Sequence, residues 1–331
     1  MTRDIDILSH RRTFFLAVNT GFVTDGIPDQ RFLDFYATRS SPELYCSIVG
    51  NVVVPGGYRT NAVTPVLSEN LIWKHIADSI AAKGSLPGIQ LATTWEGYIG
   101  QKKFRALNSA AFISEACRFV DSMTISDVES TLNSFEFAAD IAIKHGFRHI
   151  QIHAAHGYLL SLLIDYRINR NSATVLGTLA SLAERLKGRG IETSIRISCK
   201  TGDADFDSNG AERLQDSVAN LPFDYIDLSS GFYNIDKRLI YPARPDVIDS
   251  RLHESISIGL RHPTRSFIIS GRTFKHDWTD LASNFHPGIC RDLIANPRFL
   301  QERHNGCQNQ NRCHYYSRGE DHLTCGRWLS S

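Results

Sequence analysis

The stretch FRHIQIHAAHGYLLSLLIDYRINR, residues 147–170, decides the fold class of this chain. Its first part, 147–152, gathers apolar side chains in a pattern typical of a buried strand. Two histidines and a tyrosine follow at once, His153, His156 and Tyr158, before the sequence becomes helical. The stretch therefore predicts a strand that leads into a helix, with three reactive side chains at the junction.

Short apolar runs of this kind recur along the chain. Between them lie helical patterns that end at a glycine, Gly84 in one case and Gly146 in another, and Ser68 is a candidate N-cap. Eight strands that alternate with helices predict a single closed (β/α)8 TIM barrel. An open doubly wound sheet is the alternative, but no Gly-rich dinucleotide loop follows an early strand. The predicted strands are 13–18, 45–54, 88–93, 149–154, 193–198, 224–229, 266–270 and 288–293.

The domain organisation follows from the same pattern. We expect the barrel to span residues 1–300 and a short, separate, cysteine-containing tail to span residues 301–331. Residues 94–124 form an insertion after the third strand.

The composition excludes several classes of protein. The chain has 331 residues, a net charge of +1, and 42% hydrophobic against 21% charged residues. This balance argues against nucleic acid and anionic membranes as partners. No run is long enough for a membrane span, and the first residues lack the apolar core of a signal peptide. Seven cysteines, an odd number for a disulfide framework, favour the reducing cytoplasm.

Catalytic groups of such a barrel lie at the C-terminal ends of its strands. His153 would end the fourth strand, with His156 and Tyr158 just behind it, so all three would face the barrel mouth. One histidine at a strand end is usually structural, but two histidines and a tyrosine within six residues favour a functional cluster. A His-x-x-His metal pair is the alternative, although no third ligand is obvious. The other histidines, His145 and His149 among them, are expected at the surface.

Polar residues near the ends of other strands would join this cluster. The loops after the last two strands are the usual phosphate site of the fold. Each residue also has a plain structural interpretation, as a surface residue, a packed polar residue or one half of an ion pair. The positions are Gln90 in the third strand, Arg196 near the end of the fifth, Gly271 and Arg272 after the seventh, and Cys290 and Arg291 at the end of the eighth.

Two motifs carry a family resemblance. IHAAHGYLL (152–160) and RDLIANPRFL (291–300) together are specific, whereas GIPDQRFLDFYATRS (26–40), GNVVV (50–54) and IRIS (195–198) are each weak alone. The sequence in this order, over roughly residues 10–325, resembles the Old Yellow Enzyme family of FMN-dependent ene-reductases, which includes 2,4-dienoyl-CoA reductase.

The resemblance implies a role for each candidate residue. His153 and His156 would hydrogen-bond the carbonyl oxygen of an enone-like acceptor, and Tyr158 would protonate its α-carbon. Gln90 would bond the pyrimidine side of the flavin, and Arg196 would lie near its N1 and O2 atoms. The remaining assignments are Gly271, Arg272, Cys290 and Arg291 to the phosphate, and Ala17, Thr20 and Gly50 to the surroundings of the flavin ring.

The chain departs from the family pattern in three places. LATTWEGY follows Gln90 where the family usually has histidine, glycine and arginine. Only Asn169, Arg170 and Gly177 match a loop that is usually acidic and glycine-rich, and Val18 replaces a proline. These changes affect the loops around the flavin and the rim of the barrel.

The tail contains three cysteines, Cys307, Cys313 and Cys325. Relatives often have a second cysteine where this chain has Gln310, although Asn311 matches. In the larger dienoyl-CoA reductases a similar set binds a [4Fe–4S] cluster, which normally needs four thiolates. We therefore expect no metal here, with zinc held by the three cysteines and a histidine as the alternative.

The sequence thus predicts an FMN-dependent enzyme that takes electrons from NADH or NADPH and reduces an activated alkene or a quinone-like acceptor. The alternatives are a noncatalytic barrel that serves as a binding or scaffold module, and another FMN barrel such as a dihydrouridine synthase. The latter would need a basic surface for tRNA, which the balanced charge does not favour. Cytoplasmic localisation and assembly as a homo-oligomer are further expectations.

Overall fold

The computed structural model describes residues 11–310 and 312–329. Eight parallel strands in this part of the chain pair in sequence order, and β8 pairs with β1 to close the barrel. The prediction of a (β/α)8 barrel is confirmed. The strands are β1 (Phe14–Phe15), β2 (Cys46–Val53), β3 (Leu86–Ala92), β4 (His149–Ala154), β5 (Glu192–Ser198), β6 (Tyr225–Ser229), β7 (Ser266–Ile269) and β8 (Phe285–Ile289).

Helices surround the barrel and cover its strands. The long helix after the insertion begins at a capping box made by Thr124 and Asp127 and ends before Gly146 in a left-handed conformation. The helices are α1 (Gln30–Arg39), α2 (Ile72–Ala82), α3 (Ser109–Ser122), α4 (Ile125–Lys144), α5 (Leu159–Leu163), α6 (Ser172–Gly188), α7 (Ala204–Ser208), α8 (Ala211–Ala219), α9 (Lys237–Ile240), α10 (Pro245–Arg261), α11 (Arg291–Ala295) and α12 (Tyr315–Arg318). Short 3-10 turns lie at Thr273–Lys275 and Gly326–Leu329, and a hairpin pairs Val23–Thr24 with Ile27–Pro28.

Two predicted boundaries are wrong. The eighth strand is Phe285–Ile289 and not 288–293, so Cys290 and Arg291 lie beyond its end, at the start of α11. Ser68 does not cap α2, which begins at Ile72. The expected glycine stop at Gly84 is present, with a φ of 83°.

The expectation that His145 and His149 lie at the surface is also wrong. His149 is fully buried at the N-terminal end of the barrel, where its Nδ1 lies 2.7 Å from Glu192 Oε1 and its Nε2 lies 2.7 Å from Ser194 Oγ. His145 is buried as well, with its Nε2 3.0 Å from the carbonyl oxygen of Ser68. Both imidazoles are structural, because each is a buried polar group whose hydrogen bonds are satisfied within the protein.

The strand register places the polar residues of three strands in one layer. His153 of β4 lies opposite Arg196 of β5, and Arg196 lies opposite Asp227 of β6. These positions are near the C-terminal ends of the strands, at the mouth of the barrel.

The described residues of the tail, which spans 301–331, pack on this mouth. Tyr315 and Leu323 are buried in the hydrophobic core shared with the barrel. The Leu323 amide donates to the Thr20 carbonyl oxygen at 2.7 Å. Asn311, which matched the family pattern, and residues 1–10 lie outside the described residues. Among the described helices, none combines the length and apolarity needed to cross a bilayer.

Candidate functional site

The turn after β4 brings the three predicted side chains together. His156 and Gly157 both have positive φ angles, 65° and 79°, and this turn folds the chain back so that Tyr158 immediately precedes α5. The ring of His153 lies 5.1 Å from that of His156 and 4.7 Å from that of Tyr158. All three side chains are buried and line one cleft at the barrel mouth.

The hydrogen bonds of the two histidines differ. His156 Nε2 lies 2.7 Å from Ser229 Oγ, which also accepts N–H groups from Arg196 and Arg251. Since this hydroxyl already accepts from two guanidinium groups, its own proton is free to go to His156 Nε2, which leaves the imidazole proton on Nδ1. His153 Nδ1 is buried and has no hydrogen-bond partner among the described residues. An unpaired buried nitrogen of this kind favours a ligand in the cleft.

Burial sets the protonation of the cluster. Burial first, and then the Arg196 charge, lowers the pKa of His153 well below its usual range. The pKa of His156 is lowered by burial and then by His153 and Arg196. Burial also raises the pKa of the Tyr158 phenol well above 10, and Thr60 Oγ1 lies 2.8 Å from its hydroxyl. The cluster therefore contains two neutral imidazoles and one protonated phenol at neutral pH.

Arg196 and Gln90 line the same cleft as this cluster. Arg196 Nη1 donates to Asp227 Oδ2 at 2.5 Å, and Gln90 Nε2 donates to Gln151 Oε1 at 2.6 Å. Gln151 in turn donates to the same Asp227 oxygen at 3.1 Å. Asp227 thus balances the charge of Arg196, and sequence reasoning missed it although an acid inside the apolar run 224–229 was a visible signal.

The loops after β7 and β8 converge on the same cleft. Gly271 and Arg272 have positive φ angles of 104° and 75°, and both line the cleft with Cys290 and Arg291. Arg272 lies 3.8 Å from Asp292. Arg291 donates to the carbonyl oxygen of Pro242 at 2.5 Å, and no carboxylate of the described residues lies within ion-pair distance of it.

The three residues predicted to surround the flavin ring differ in their positions. Ala17 lines the cleft, but Thr20 and Gly50 are not among the lining residues. Thr20 is fully buried, and its Oγ1 accepts the amide of Phe22 at 3.2 Å. The Gly50 amide donates to the Tyr36 hydroxyl at 3.1 Å, so its backbone serves the packing of α1.

The insertion and the tail supply a large part of the cleft wall, which the sequence did not predict. The cleft holds about 1400 Å³ of space, counted out to its open mouth. The contributors from these two segments are Tyr98, Gly100 and Gln101 of the insertion, and Cys313, His314, Tyr315, Tyr316, Ser317 and Leu323 of the tail. The aromatic run at 314–316 was the signal in the tail that could have indicated this role.

The three tail cysteines, Cys307, Cys313 and Cys325, are the candidates for a metal site. No group of three histidine, cysteine or acidic side chains within 11–310 and 312–329 is placed to hold a metal ion. The expectation of a metal-free tail stays a prediction that requires metal analysis.

A (β/α)8 barrel with neutral imidazoles, a protonated phenol and arginine-bearing loops at one mouth is the arrangement expected of a flavin-dependent oxidoreductase. The model of the NADH:flavin oxidoreductase / NADH oxidase family matches residues 16–181. An NADPH dehydrogenase from Geobacillus sp. (strain WCH70) is 33% identical over 244 residues, which cover 68% of this chain and 67% of that protein. The chain therefore belongs to this family, that of Old Yellow Enzyme.

Solved structures agree with the fold. Old Yellow Enzyme from Pichia sp. AKU4542 superposes with a TM-score of 0.63 at 19% identity, over 88% of this chain and 82% of that one. A 2-naphthoyl-CoA reductase in complex with 2-naphthoyl-CoA superposes with a TM-score of 0.72 at 15% identity, over 96% of this chain and 54% of that one. Several curated relatives are longer, and the chain spans 42% to 61% of their length.

FMN and a nicotinamide reductant are the cofactors of this family, and the cleft offers groups that fit the flavin. Arg291 has no acidic partner in the described part of the chain, so its charge is available to a phosphate. A Cβ added at Gly271 would lie 3.1 Å from Arg251 Cδ, so glycine lets this loop pack closely on α10. Gln90 and Arg196 offer amide and guanidinium groups at the barrel mouth.

Proposed function

We propose that this chain reduces the activated C=C bond of an enone-like acceptor, or a quinone-like acceptor, with electrons from NADH or NADPH. One observation carries the proposal. Two neutral imidazoles and a protonated phenol, His153, His156 and Tyr158, meet in one cleft with the arginine-bearing loops. FMN, when bound, would supply the hydride for the acceptor.

The imidazoles would hold the acceptor oxygen. The contact with Ser229 leaves the His156 proton on Nδ1, and a neutral His153 carries one N–H of its own. Two such donors stabilise the negative charge that develops on the oxygen as the alkene is reduced. Because both pKa values are lowered by burial, neither imidazole needs to lose or gain a proton during the reaction.

Tyr158 would supply the proton to the α-carbon. Its ring is fixed by stacking on Tyr233, with centroids 5.8 Å apart, and its hydroxyl by Thr60. A phenol held in place and kept protonated is a suitable general acid. Ala17, Gln90 and Arg196 would contact the flavin, and Gly271, Arg272, Cys290 and Arg291 its phosphate. Thr20 and Gly50 would support the surroundings of the flavin ring, Thr20 through its bond to Phe22 and Gly50 through its bond to Tyr36.

The test is direct. The purified chain should be yellow and release FMN on denaturation, and stopped-flow mixing with NADH and NADPH should bleach the flavin absorbance. Reoxidation by an enone such as 2-cyclohexenone should restore it. A colourless protein that cannot be reconstituted with FMN would favour a noncatalytic barrel instead. Cytoplasmic localisation, homo-oligomerisation and the absence of nucleic-acid and membrane partners stay predictions.

A further inference from the structure

A second set of polar side chains lines the cleft and has no part in the proposed reaction. Tyr98 and Gln101 come from the insertion, Lys237 is the first residue of α9, and His314 and Ser317 come from the tail. These residues meet because the insertion and the tail both pack against α9.

Lys237 is the unusual member of this set. Its side chain is 4% exposed, and its Nζ donates to Ser317 Oγ at 3.0 Å and to the Gln101 carbonyl oxygen. Both partners are neutral, and no carboxylate of the described residues lies within ion-pair distance. A buried ammonium without an anion is costly. Burial accordingly lowers the pKa of Lys237 to about 8, so it still carries most of its charge at pH 7.

Three neighbouring polar atoms also lack partners. Tyr98 hydroxyl, Gln101 Nε2 and His314 Nε2 are buried and make no hydrogen bond within the described residues. Burial, followed by the charges of Arg291 and Lys237, lowers the pKa of His314 to about 3, so its imidazole is neutral. The hydroxyl, the amide and a neutral imidazole can all donate, and they line the same cleft as the Lys237 ammonium. The set is therefore complementary to a group that only accepts hydrogen bonds and carries negative charge.

We propose that Lys237, together with Gln101 and His314, binds a carboxylate on the acceptor, so that the substrates are activated alkenes with an acidic group. One ammonium surrounded by neutral donors balances the single charge of a carboxylate. The phosphate of the flavin would be held separately, at Gly271 and Arg291. This assignment deepens the proposed function and rests on it for the reaction, although not for the binding.

The probes are phenols, whose hydroxyl imitates the acceptor oxygen, with a carboxylate on tethers of increasing length. They are 4-hydroxybenzoate, 4-hydroxyphenylacetate and 3-(4-hydroxyphenyl)propanoate, each compared with its methyl ester. Isothermal titration calorimetry on the FMN-loaded protein at pH 7 gives both dissociation constants. At least one acid should bind about ten- to a hundredfold tighter than its ester, as expected for a charge-assisted contact.

The variants separate binding from folding. Lys237→Met keeps the aliphatic stem and should bring the ratio of the two constants close to one, with the ester affinity unchanged. Lys103→Met removes a charge from an exposed position of the same insertion and should keep the wild-type ratio. The melting temperature of each variant reports whether the bonds of Lys237 to the insertion and the tail also stabilise the fold.

Equal binding of every acid and its ester to the wild type would overturn the proposal, and this result needs no variant. An unchanged ratio of ester to acid dissociation constants in Lys237→Met, with only a lower melting temperature, would also overturn the proposal. Lys237 would then stabilise the fold without binding the carboxylate. If Lys237→Met instead weakens FMN while the ratio persists, the ammonium belongs to the flavin site and the proposal fails. Absence of flavin absorbance contradicts the proposed function separately, and the same titrations on the flavin-free protein then decide on the carboxylate.

Discussion

Replacing Tyr158 by phenylalanine tests the central chemical assignment with a single atom. The ring packs against Tyr233 and meets Tyr98 edge-on at 5.9 Å, so phenylalanine keeps these contacts and loses only the hydroxyl. The lost hydrogen bond is the one to Thr60, which retains a contact with Asn51 at 3.4 Å. The cost to folding should therefore be about 0.5–1.5 kcal/mol.

The cost to catalysis should be larger and confined to one half-reaction. Burial, followed by Tyr233 and Tyr98, raises the pKa of Tyr158 above the usual phenol value of about 10. The phenol therefore stays protonated between about pH 6 and 9, a range that ends roughly one unit below that usual value. A general acid contributes roughly 10²–10⁴ in rate, or about 3–5 kcal/mol of the barrier. Tyr158→Phe should slow alkene reduction by this factor. Flavin reduction by nicotinamide needs no proton from the acceptor side and should change less than about threefold, far below the factor for a lost acid.

Stopped-flow measurement of the two half-reactions is the assay. Quinones, which need no proton on carbon, should be spared. Tyr166→Phe is the matched control. The hydroxyl of this half-buried tyrosine donates to the carbonyl oxygens of Asn209 and Gly210, and the residue is not among those that line the cleft. If Tyr158→Phe slows both half-reactions equally, or neither, Tyr158 is not the acid.

Three further predictions concern the cofactor, the tail and the lower end of the barrel. Arg291→Ala should weaken FMN binding by about 1.5–3 kcal/mol, measured by fluorescence titration of the apoprotein, and an unchanged affinity would remove Arg291 from the phosphate site. Anaerobically purified protein should contain no iron or acid-labile sulfide by colorimetric analysis, and about four irons per chain would contradict the metal-free tail, since a [4Fe–4S] cluster carries four. Burial raises the pKa of Glu192, but its contacts, led by the one with His149, outweigh this effect and the pKa is lowered. The contact with His149 therefore stabilises the fold at pH values above the usual glutamate pKa of ~4.3. This stability is lost as the pH falls through the lower pKa of the folded state. Melting curves of Glu192→Gln and wild type should therefore differ at pH 7 and converge on acidification.

The fold could be predicted because seven of the eight strands lie in short runs rich in apolar residues, at positions that overlap the predicted ones. The eighth strand failed for a local reason. Phe285–Ile289 includes His286, Pro287 and Gly288, which break the apolar pattern. The strand was therefore placed three residues too late, at 288–293, although that run contains Arg291 and Asp292. Residues Arg291–Ala295 form α11 instead, and this shift places Arg291 on a helix.

The site could be predicted where its residues are neighbours in sequence. His153, His156 and Tyr158 lie within six residues, so one turn brings them together. Contacts over long separations were not predictable in this way. Thr60 and Tyr158 are 98 residues apart, and Lys237 and Ser317 are 80 apart. Only the closed barrel and its covering segments make these pairs adjacent.

The attachment of the tail shows why its lost cysteine need not disturb the site. Asn309 Oδ1 accepts from Arg272 at 3.2 Å and from Arg291 at 3.4 Å, and the Cys307 carbonyl accepts from Arg272 at 3.0 Å. Gln310, at the position of the missing cysteine, packs so closely on Gly326 that a Cβ there would lie 1.8 Å from its Oε1.

Hydrogen bonds thus hold the tail at the mouth in two places. Asn309 bonds the two arginines proposed for the flavin phosphate, and the amide of Leu323 bonds the Thr20 carbonyl oxygen. Thr20 is thereby linked to the tail, whose Leu323 lines the cleft. Because the same guanidinium groups face Asn309 and would face a phosphate, FMN binding and the position of the tail should be coupled, and the wall that carries His314 and Ser317 should be most ordered when the flavin is bound.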